Sequence, residues 1–251
     1  MDLGLSDRVY VVTGGARGLG RATAEVLVAE GAHVVLSGRT EESLASAVDA
    51  LGDHAAYVVG DNADATVPGR LIASARERWG RLDGALISVG GPPVGTVAST
   101  TDEQWTVAFG SVFLGGVRMA REVAAELGEG GAIAFVLSTS VRNPLTQLAI
   151  SNGFRPGLAM IAKQLADELG PRGIRVNGLL PGRVATERVA ELDALAPDPA
   201  AAKASAAQNV PLRRDGEPSE FGRAAAFLLS PAASFVTGSM LPIDGGATRA
   251  L

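Results

Sequence analysis

The stretch "RVYVVTGGARGLGRATAEVLVAEGAHVVLSGRT", residues 8–40, decides the fold. A short run rich in β-branched residues (8–12) passes through a glycine-rich turn into a longer amphipathic pattern (19–30), and a second apolar run (32–37) follows. Short apolar runs without strict alternation predict strands buried on both faces, as in a parallel sheet. The turn sits where a strand hands over to a helix. There Gly14, Gly18 and Gly20 remove side chains around Leu19. Backbone N–H groups at such a helix start form an anion cradle that a pyrophosphate can approach closely.

The alternation continues outward from this unit. Helices are predicted over 41–51, about 66–79 and about 152–169, and strands over 55–59, 84–88, 132–138 and 174–180. "TTDEQW" opens a long helix, with Thr100 and Glu103 spaced as a capping box. "SEFGRAAAFLLSP" is a further helix stopped by Pro231, and "SMLPID" a last strand. Strands alternating with helices predict an α/β protein: a doubly wound, seven-stranded parallel sheet with helices on both faces. Without an internal repeat or a linker, residues 1–251 are expected to form a single domain. The segment 183–217, rich in alanine, proline and charge, is expected to form a partly helical substrate lid.

Composition narrows the function. With 47% hydrophobic and 20% charged residues the chain reads as soluble and globular, and a net charge of −5 argues against nucleic acid or an anionic membrane as partner. There is no cysteine, which excludes disulfides and thiolate chemistry, and with only His33 and His54 no metal site is expected. "MDLGLSDRVY" lacks the apolar core of a signal peptide, so a cytoplasmic protein is expected.

The spacing TGxxxGxG in "TGGARGLG" resembles that of the short-chain dehydrogenase/reductase family, and further segments match it in order over residues 6–247. The resemblance implies a Rossmann fold and a nicotinamide cofactor. It places Asp61 and Asn62, in "VVGDNAD", beside the adenine and Gly90, in "ISVGGPP", at the end of the fourth strand. It aligns "LLPGRVATE" with the family's Pro-Gly turn, where Pro181, Gly182, Val184 and Thr186 hold the nicotinamide end. "VTGSMLPIDGG" resembles the C-terminal strand signature. Charge suggests which cofactor. An NAD site usually carries a carboxylate at the end of the second strand, but Gly38 stands there, followed by Arg39, with Arg17 in the glycine loop. Two guanidinium groups suit a ribose 2′-phosphate, which points to NADP(H).

The chemical half departs from the family. Of its usual Asn, Ser, Tyr and Lys, only the serine is retained, as Ser138. Val112, Ser151 and Arg155 fill the other positions, and the remaining tyrosines, Tyr10 and Tyr57, lie in the first and third strands. A phenol with a pKa near 10, lowered by a lysine, is a usable acid, whereas a serine hydroxyl is a poor one. Loss of a general acid costs about 10²–10⁴-fold. Ser138 can still hydrogen-bond a carbonyl oxygen. Ser151 and Arg155 lie one helical turn apart, and Arg155 can reach ribose hydroxyls. Pro156 predicts that this helix starts or kinks near 151–153.

Two proton sources remain: a relay through Ser151, water or ribose, or the substrate itself. A ketone flanked by a peri-phenol can give up that proton as hydride arrives. The chain is similar to the tyrosine-less ketoreductases of aromatic-polyketide (angucyclinone) antibiotic pathways. That resemblance implies an NADPH-dependent ketoreductase acting on a small polycyclic ketone. The alternatives are a redox-silent nucleotide-binding partner protein and a non-redox cyclase or lyase. Most relatives pair their long crossover helices, which implies a homo-oligomer. Trp105 and Phe109 read as core or as substrate stackers, and Phe154, Leu192 and Leu195 as pocket wall or lid anchors. Arg142 and Gln147 read as substrate contacts or surface, and Gly91, Pro92 and Pro93 as a stiff pocket rim.

Overall fold

The computed structural model describes residues 2–249. Among them, seven strands form one sheet: β1 (Val9–Thr13), β2 (His33–Gly38), β3 (Ala55–Val59), β4 (Gly84–Ser88), β5 (Ala132–Val136), β6 (Arg175–Pro181) and β7 (Met240–Ile243). Their order is β3-β2-β1-β4-β5-β6-β7, and every pairing is parallel. The helices are α1 (Gly18–Ala29), α2 (Glu41–Leu51), α3 (Val67–Trp79), α4 (Asp102–Ala108), α5 (Gly115–Glu126), α6 (Ala149–Leu169), α7 (Glu187–Asp193), α8 (Pro199–Gln208) and α9 (Pro218–Leu229).

Alternate residues of each strand feed two cores. Val11, Val35, Ile87 and Phe135 face one side, where α3, α5 and α6 bring Leu71, Met119 and Leu158. Tyr10, Val12, Leu36 and Val136 face the other, where α1, α2 and α9 bring Leu27, Leu44 and Phe221. Burial on both faces is why the strand sequences show no polar alternation. The chain leaves β1 toward β2 and β3, then returns to the other flank through β4. That reversal opens a crevice at the C-terminal ends of β1 and β4.

Three local expectations are corrected. The capping box is formed by Thr101 and Gln104, one residue on from the predicted pair: Gln104 N donates to Thr101 Oγ1 at 3.3 Å, and Thr101 N to Gln104 Oε1 at 2.9 Å. The Thr100 hydroxyl instead donates to the Thr96 carbonyl. The predicted long helix is broken by a π-helical segment, Phe109–Leu114, before α5. α6 begins at Ala149 rather than at 152 and runs through Pro156 without ending there. Its start is set from outside: Gly95 N donates to the Gln147 carbonyl and Ala149 N to the Gly95 carbonyl, a short parallel bridge. Gly153 and Gly157 then open the α6 surface, because a Cβ at either would press on Trp105 or Phe113 at 2.9 Å.

Both histidines are used structurally. His33, at the start of β2, is sandwiched between His54 (4.6 Å, 13°) and Trp79 (4.8 Å, 21°). Its Nδ1 is buried without a partner among the described residues. Burial, and next the neighbouring His54, hold the His33 pKa below its usual value. The unfolded chain therefore takes up this proton first as pH falls. Stability contributed by the neutral ring is complete above about pH 6.5 and is lost as pH drops from there toward the lowered folded pKa. Thermal unfolding followed by circular dichroism between pH 7.5 and 5 should show this loss, and His33→Phe should flatten it. An unchanged slope in that variant would refute the assignment.

Candidate functional site

The crevice is built from strand ends. Thr13, last in β1, exchanges two hydrogen bonds with Ser88, last in β4: Thr13 Oγ1 donates to the Ser88 carbonyl at 2.7 Å, and Ser88 N donates to Thr13 Oγ1 at 2.8 Å. This holds the two strands at the point where the glycine loop leaves the sheet. Gly14 and Gly18 have φ of +60° and +56°. A Cβ at Gly14 would sit 2.9 Å from the Ser88 carbonyl oxygen, and one at Gly20 would collide with the Gly14 carbonyl oxygen. The loop is thus folded back onto itself, and Leu19, half-buried, lies in the first turn of α1. The result is a side-chain-free cradle at the N-terminus of a twelve-residue helix, which fits a pyrophosphate.

At one end of the cradle, Arg39 is exposed and has no hydrogen-bond or ion-pair partner among the described residues. Arg17, the residue before α1, lies 3.5 Å from Glu191 of α7. Asp61 accepts a bond from Ala63 N, and both it and Asn62 are half-buried just beyond β3. At the other end, a Cβ at Gly90 would meet nothing within 4 Å. Gly182 follows β6 where a Cβ would lie 2.6 Å from Asp244 Cβ, so the Pro181–Gly182 turn packs against the chain leaving β7. Val184 is buried, and Thr186 is the residue preceding α7, in contact range of Gly18.

Beyond the cradle lie the serines. Ser138 is half-buried and its Oγ accepts from Ser140 N at 3.1 Å. No hydrogen bond joins Ser151 to it among the described residues. Ser151 Oγ instead pairs with Ser140 Oγ at 3.3 Å, both residues being 5% exposed. Arg155 is buried on the α6 face below. Its guanidinium donates to the Val136 carbonyl and, at 3.2 Å, to the Val89 carbonyl, which clasps the ends of β5 and β4. Burial pushes its pKa down to about 10, so it stays protonated at neutral pH. Val112 is 2% exposed within the π-helical segment and belongs to the apolar core.

Neither tyrosine reaches this place. Tyr10 is fully buried on the α9 side and donates to the Leu229 carbonyl; burial, above all, raises its pKa. Tyr57 lies near the sheet's far edge and reaches Glu41.

The rim is stitched by polar contacts that spacing did not reveal. Asn152 Nδ2 donates to the Leu145 carbonyl and Leu145 N donates to Asn152 Oδ1, which pins the loop before α6. Arg188 of α7 donates to the Pro92 carbonyl at 2.8 Å, and Gly91 leaves room for it, since a Cβ there would lie 2.7 Å from Arg188 Nε. Arg183 grips Asp193 with both terminal nitrogens and also bonds Asp215, anchoring the segment at its base. These bonds push the Arg183 pKa up, the Asp193 contact first.

Of the other candidates, Trp105 and Phe154 meet edge to face at 5.3 Å within one aromatic cluster, and Phe109 completes it while remaining 44% exposed. Arg142 turns toward β7, donating to the Met240 carbonyl, and Gln147 is exposed with φ +62°. Leu195 is 69% exposed and Leu192 half-buried. Ser140, Arg188 and Glu191 escaped sequence reasoning because Ser140 meets Ser151, Arg188 meets Pro92 and Glu191 meets Arg17 only across separate elements of the fold. No helix among the described residues is long and apolar enough to cross a membrane.

Residues 14–248 match a family model described as enoyl-(acyl carrier protein) reductase. The chain is 36% identical to the A-factor type gamma-butyrolactone 1′-reductase (1S-forming) of Streptomyces virginiae, over 97% of this chain and 96% of that one. Among solved structures it is similar to a short-chain dehydrogenase/reductase, glucose/ribitol dehydrogenase, from Brucella melitensis (TM-score 0.93, 30% identity, 100% of both chains). It is also similar to a short-chain oxidoreductase from Pseudomonas aeruginosa described as containing an atypical catalytic center (TM-score 0.91, 31% identity, 98% of this chain and 99% of that one).

Proposed function

The chain is an oxidoreductase of the short-chain dehydrogenase/reductase family, and from that premise we propose that it is an NADPH-dependent ketoreductase whose substrate supplies its own proton. The observation that carries this reading is the pairing of an intact dinucleotide cradle with a far end that offers hydroxyls and a guanidinium but no phenol.

A bound nicotinamide supplies hydride to a carbonyl carbon. Around it, Gly14, Gly18, Leu19 and Gly20 would hold the pyrophosphate, Asp61 and Asn62 the adenine, and Gly90, Pro181, Gly182, Val184 and Thr186 the nicotinamide end. Ser138 presents the accessible hydroxyl and donates to the carbonyl oxygen. Ser140 N holds the Ser138 oxygen in place, leaving its proton free to point outward. Ser151 is turned toward Ser140 and away from this work. Arg155 fixes a positive charge under the site and ties two strand ends that flank it. A buried cation without a carboxylate favours an anionic product, and a phenolate is such a product. The fitting substrate is therefore an aromatic ketone with a peri-hydroxyl, as on a polycyclic polyketide. Residues 183–217 close over it as a lid within a single unit spanning 1–251. The exposed apolar side chains Val107, Phe109, Leu114 and Met160 favour a homo-oligomer.

The test is NADPH oxidation, followed by absorbance, with a peri-hydroxy aromatic ketone and with its O-methyl ether. Turnover of the first and not of the second supports the reading. Equal turnover of both, or no nucleotide uptake by calorimetry, removes it. The cofactor half has its own prediction. Arg39→Ala should weaken NADPH binding on the order of 10-fold, the worth of one charge-assisted hydrogen bond, and leave NADH binding within twofold or so. Equal weakening of both cofactors would detach Arg39 from the 2′-phosphate.

A further inference from the structure

Helix α7 presents two carboxylates to the glycine cradle from above. A Cβ placed on Gly18, second in the cradle, would lie 3.7 Å from Glu187 Oε2. One turn along, Glu191 Oε1 lies 3.5 Å from the Arg17 guanidinium, and Glu191 Oε2 lies 3.4 Å from Arg188. Residues 187 and 191 share one helix face, so this face meets both the start of α1 and its neighbouring guanidinium.

The chemistry of that meeting is unusual for a lid. The N-terminus of α1 carries partial positive charge, and a basic residue beside it is unfavourable on its own. Arg17 occupies that position and makes no side-chain cap. Sequences break local rules of this kind where function requires it. Here the excess positive charge is met by Glu187 and Glu191.

We infer that Glu187 and Glu191 tune cofactor binding as an internal anion that competes with the cofactor's phosphates, Glu187 against the pyrophosphate and Glu191 against the ribose 2′-phosphate, so that Glu191 alone sets selectivity. This rests on the NADPH reading above. The pyrophosphate is common to both nicotinamide cofactors, and the 2′-phosphate belongs to one. The two carboxylates therefore have different signatures. Glu187 lowers affinity for either cofactor. Glu191 lowers affinity for NADP(H) alone, and only while Arg17 is present.

The competition is weak by design of its geometry. Arg17 is 65% exposed and Glu191 49%, and exposed pairs of this length contribute little. A phosphate dianion, with more charge and a bidentate acceptor geometry, wins Arg17 from a single carboxylate. Glu191 keeps its second partner, Arg188, which is itself held by the Pro92 carbonyl. The base of the segment stays anchored by Arg183 on Asp193 and Asp215. Losing Arg17 to a ligand therefore does not require the lid to detach.

The experiment is equilibrium binding of NADPH and NADH by calorimetry, with no ketone present. Glu191→Gln should tighten NADPH about 1.5- to 5-fold and leave NADH unchanged. Glu187→Gln should tighten both by a similar factor. In an Arg17→Ala background, Glu191→Gln should have no effect on either. Thermal unfolding without nucleotide confirms that the variants fold. The inference is overturned if Glu191→Gln leaves NADPH affinity unchanged, shifts both cofactors equally, or acts equally well without Arg17. Those results would leave the ketoreductase reading standing, whereas absence of binding by both cofactors to the unaltered protein would remove that reading and this one together.

Discussion

Ser138→Ala is expected to lower kcat by about 10²–10³-fold with the KM for NADPH unchanged, the cost of one hydrogen-bond donor aimed at a developing oxyanion. Ser138 is the half-buried hydroxyl of the group, and its oxygen already accepts the Ser140 N–H, so its own proton is free for a substrate. Ser151→Ala should cost only a few-fold, because Ser151 Oγ spends its contact on Ser140 Oγ inside the protein. The pair of variants separates the two proton routes. A relay through Ser151 requires the second substitution to cost as much as removing a general acid, about 10²–10⁴-fold. Single-turnover rates with saturating NADPH give the comparison directly. A large loss in Ser151→Ala would replace substrate assistance with a protein relay.

Gly20→Ala should abolish useful nucleotide binding, raising the NADPH Kd about 100-fold or more, as two or more backbone hydrogen bonds to phosphate are lost. The added methyl collides with the Gly14 carbonyl oxygen and lies 3.2 Å from the Thr13 carbonyl oxygen. Both are backbone atoms in a turn whose first residue, Thr13, is tied by its hydroxyl to Ser88, so they yield little. The start of α1 must move instead. Overpacking of this kind costs about 3 kcal/mol, or roughly 6–12 °C in Tm for a chain of this size. Gly18→Ala is the control. Its methyl finds its nearest neighbours at 3.7 Å, so the remaining cost is the φ of +56°, about 1–2 kcal/mol. Calorimetric Kd and thermal scans of the two variants should differ in both readouts. An unaltered Kd in Gly20→Ala would mean that the loop does not hold the phosphates.

Most of the architecture was legible in the chain because its signals are local. Apolar runs 8–12, 84–88 and 132–138 became β1, β4 and β5 within two residues at either end, and the glycine turn between β1 and α1 was readable from spacing alone. The misses have a common cause. Thr100 and Thr101 are adjacent candidates for one cap, and only the path of the preceding turn, where Thr100 bonds to Thr96, selects between them. Pro156 argued for a helix start or kink near 151–153, yet α6 starts at Ala149 because Gly95, from the loop after β4, bonds to Gln147 and Ala149. That Ser151 and Arg155 lie one turn apart on a helix was readable from their spacing, but their burial was not.

The sequence by itself determined that this protein is a parallel α/β sheet with an anion cradle at its first strand-to-helix turn, and that its two tyrosines, Tyr10 and Tyr57, fall in the first and third strands. Those properties follow from hydrophobic period, glycine placement and residue identity, which act within one or two turns of chain. Only the tertiary structure decided that Ser151 is buried and meets Ser140, that Arg155 clasps Val89 and Val136, and that Glu187 and Glu191 lie over the cradle. Each of those contacts joins side chains to groups brought together by strand order and helix packing. A hydroxyl, a guanidinium or a carboxylate takes its role from whichever partner the fold sets within hydrogen-bond or ion-pair reach.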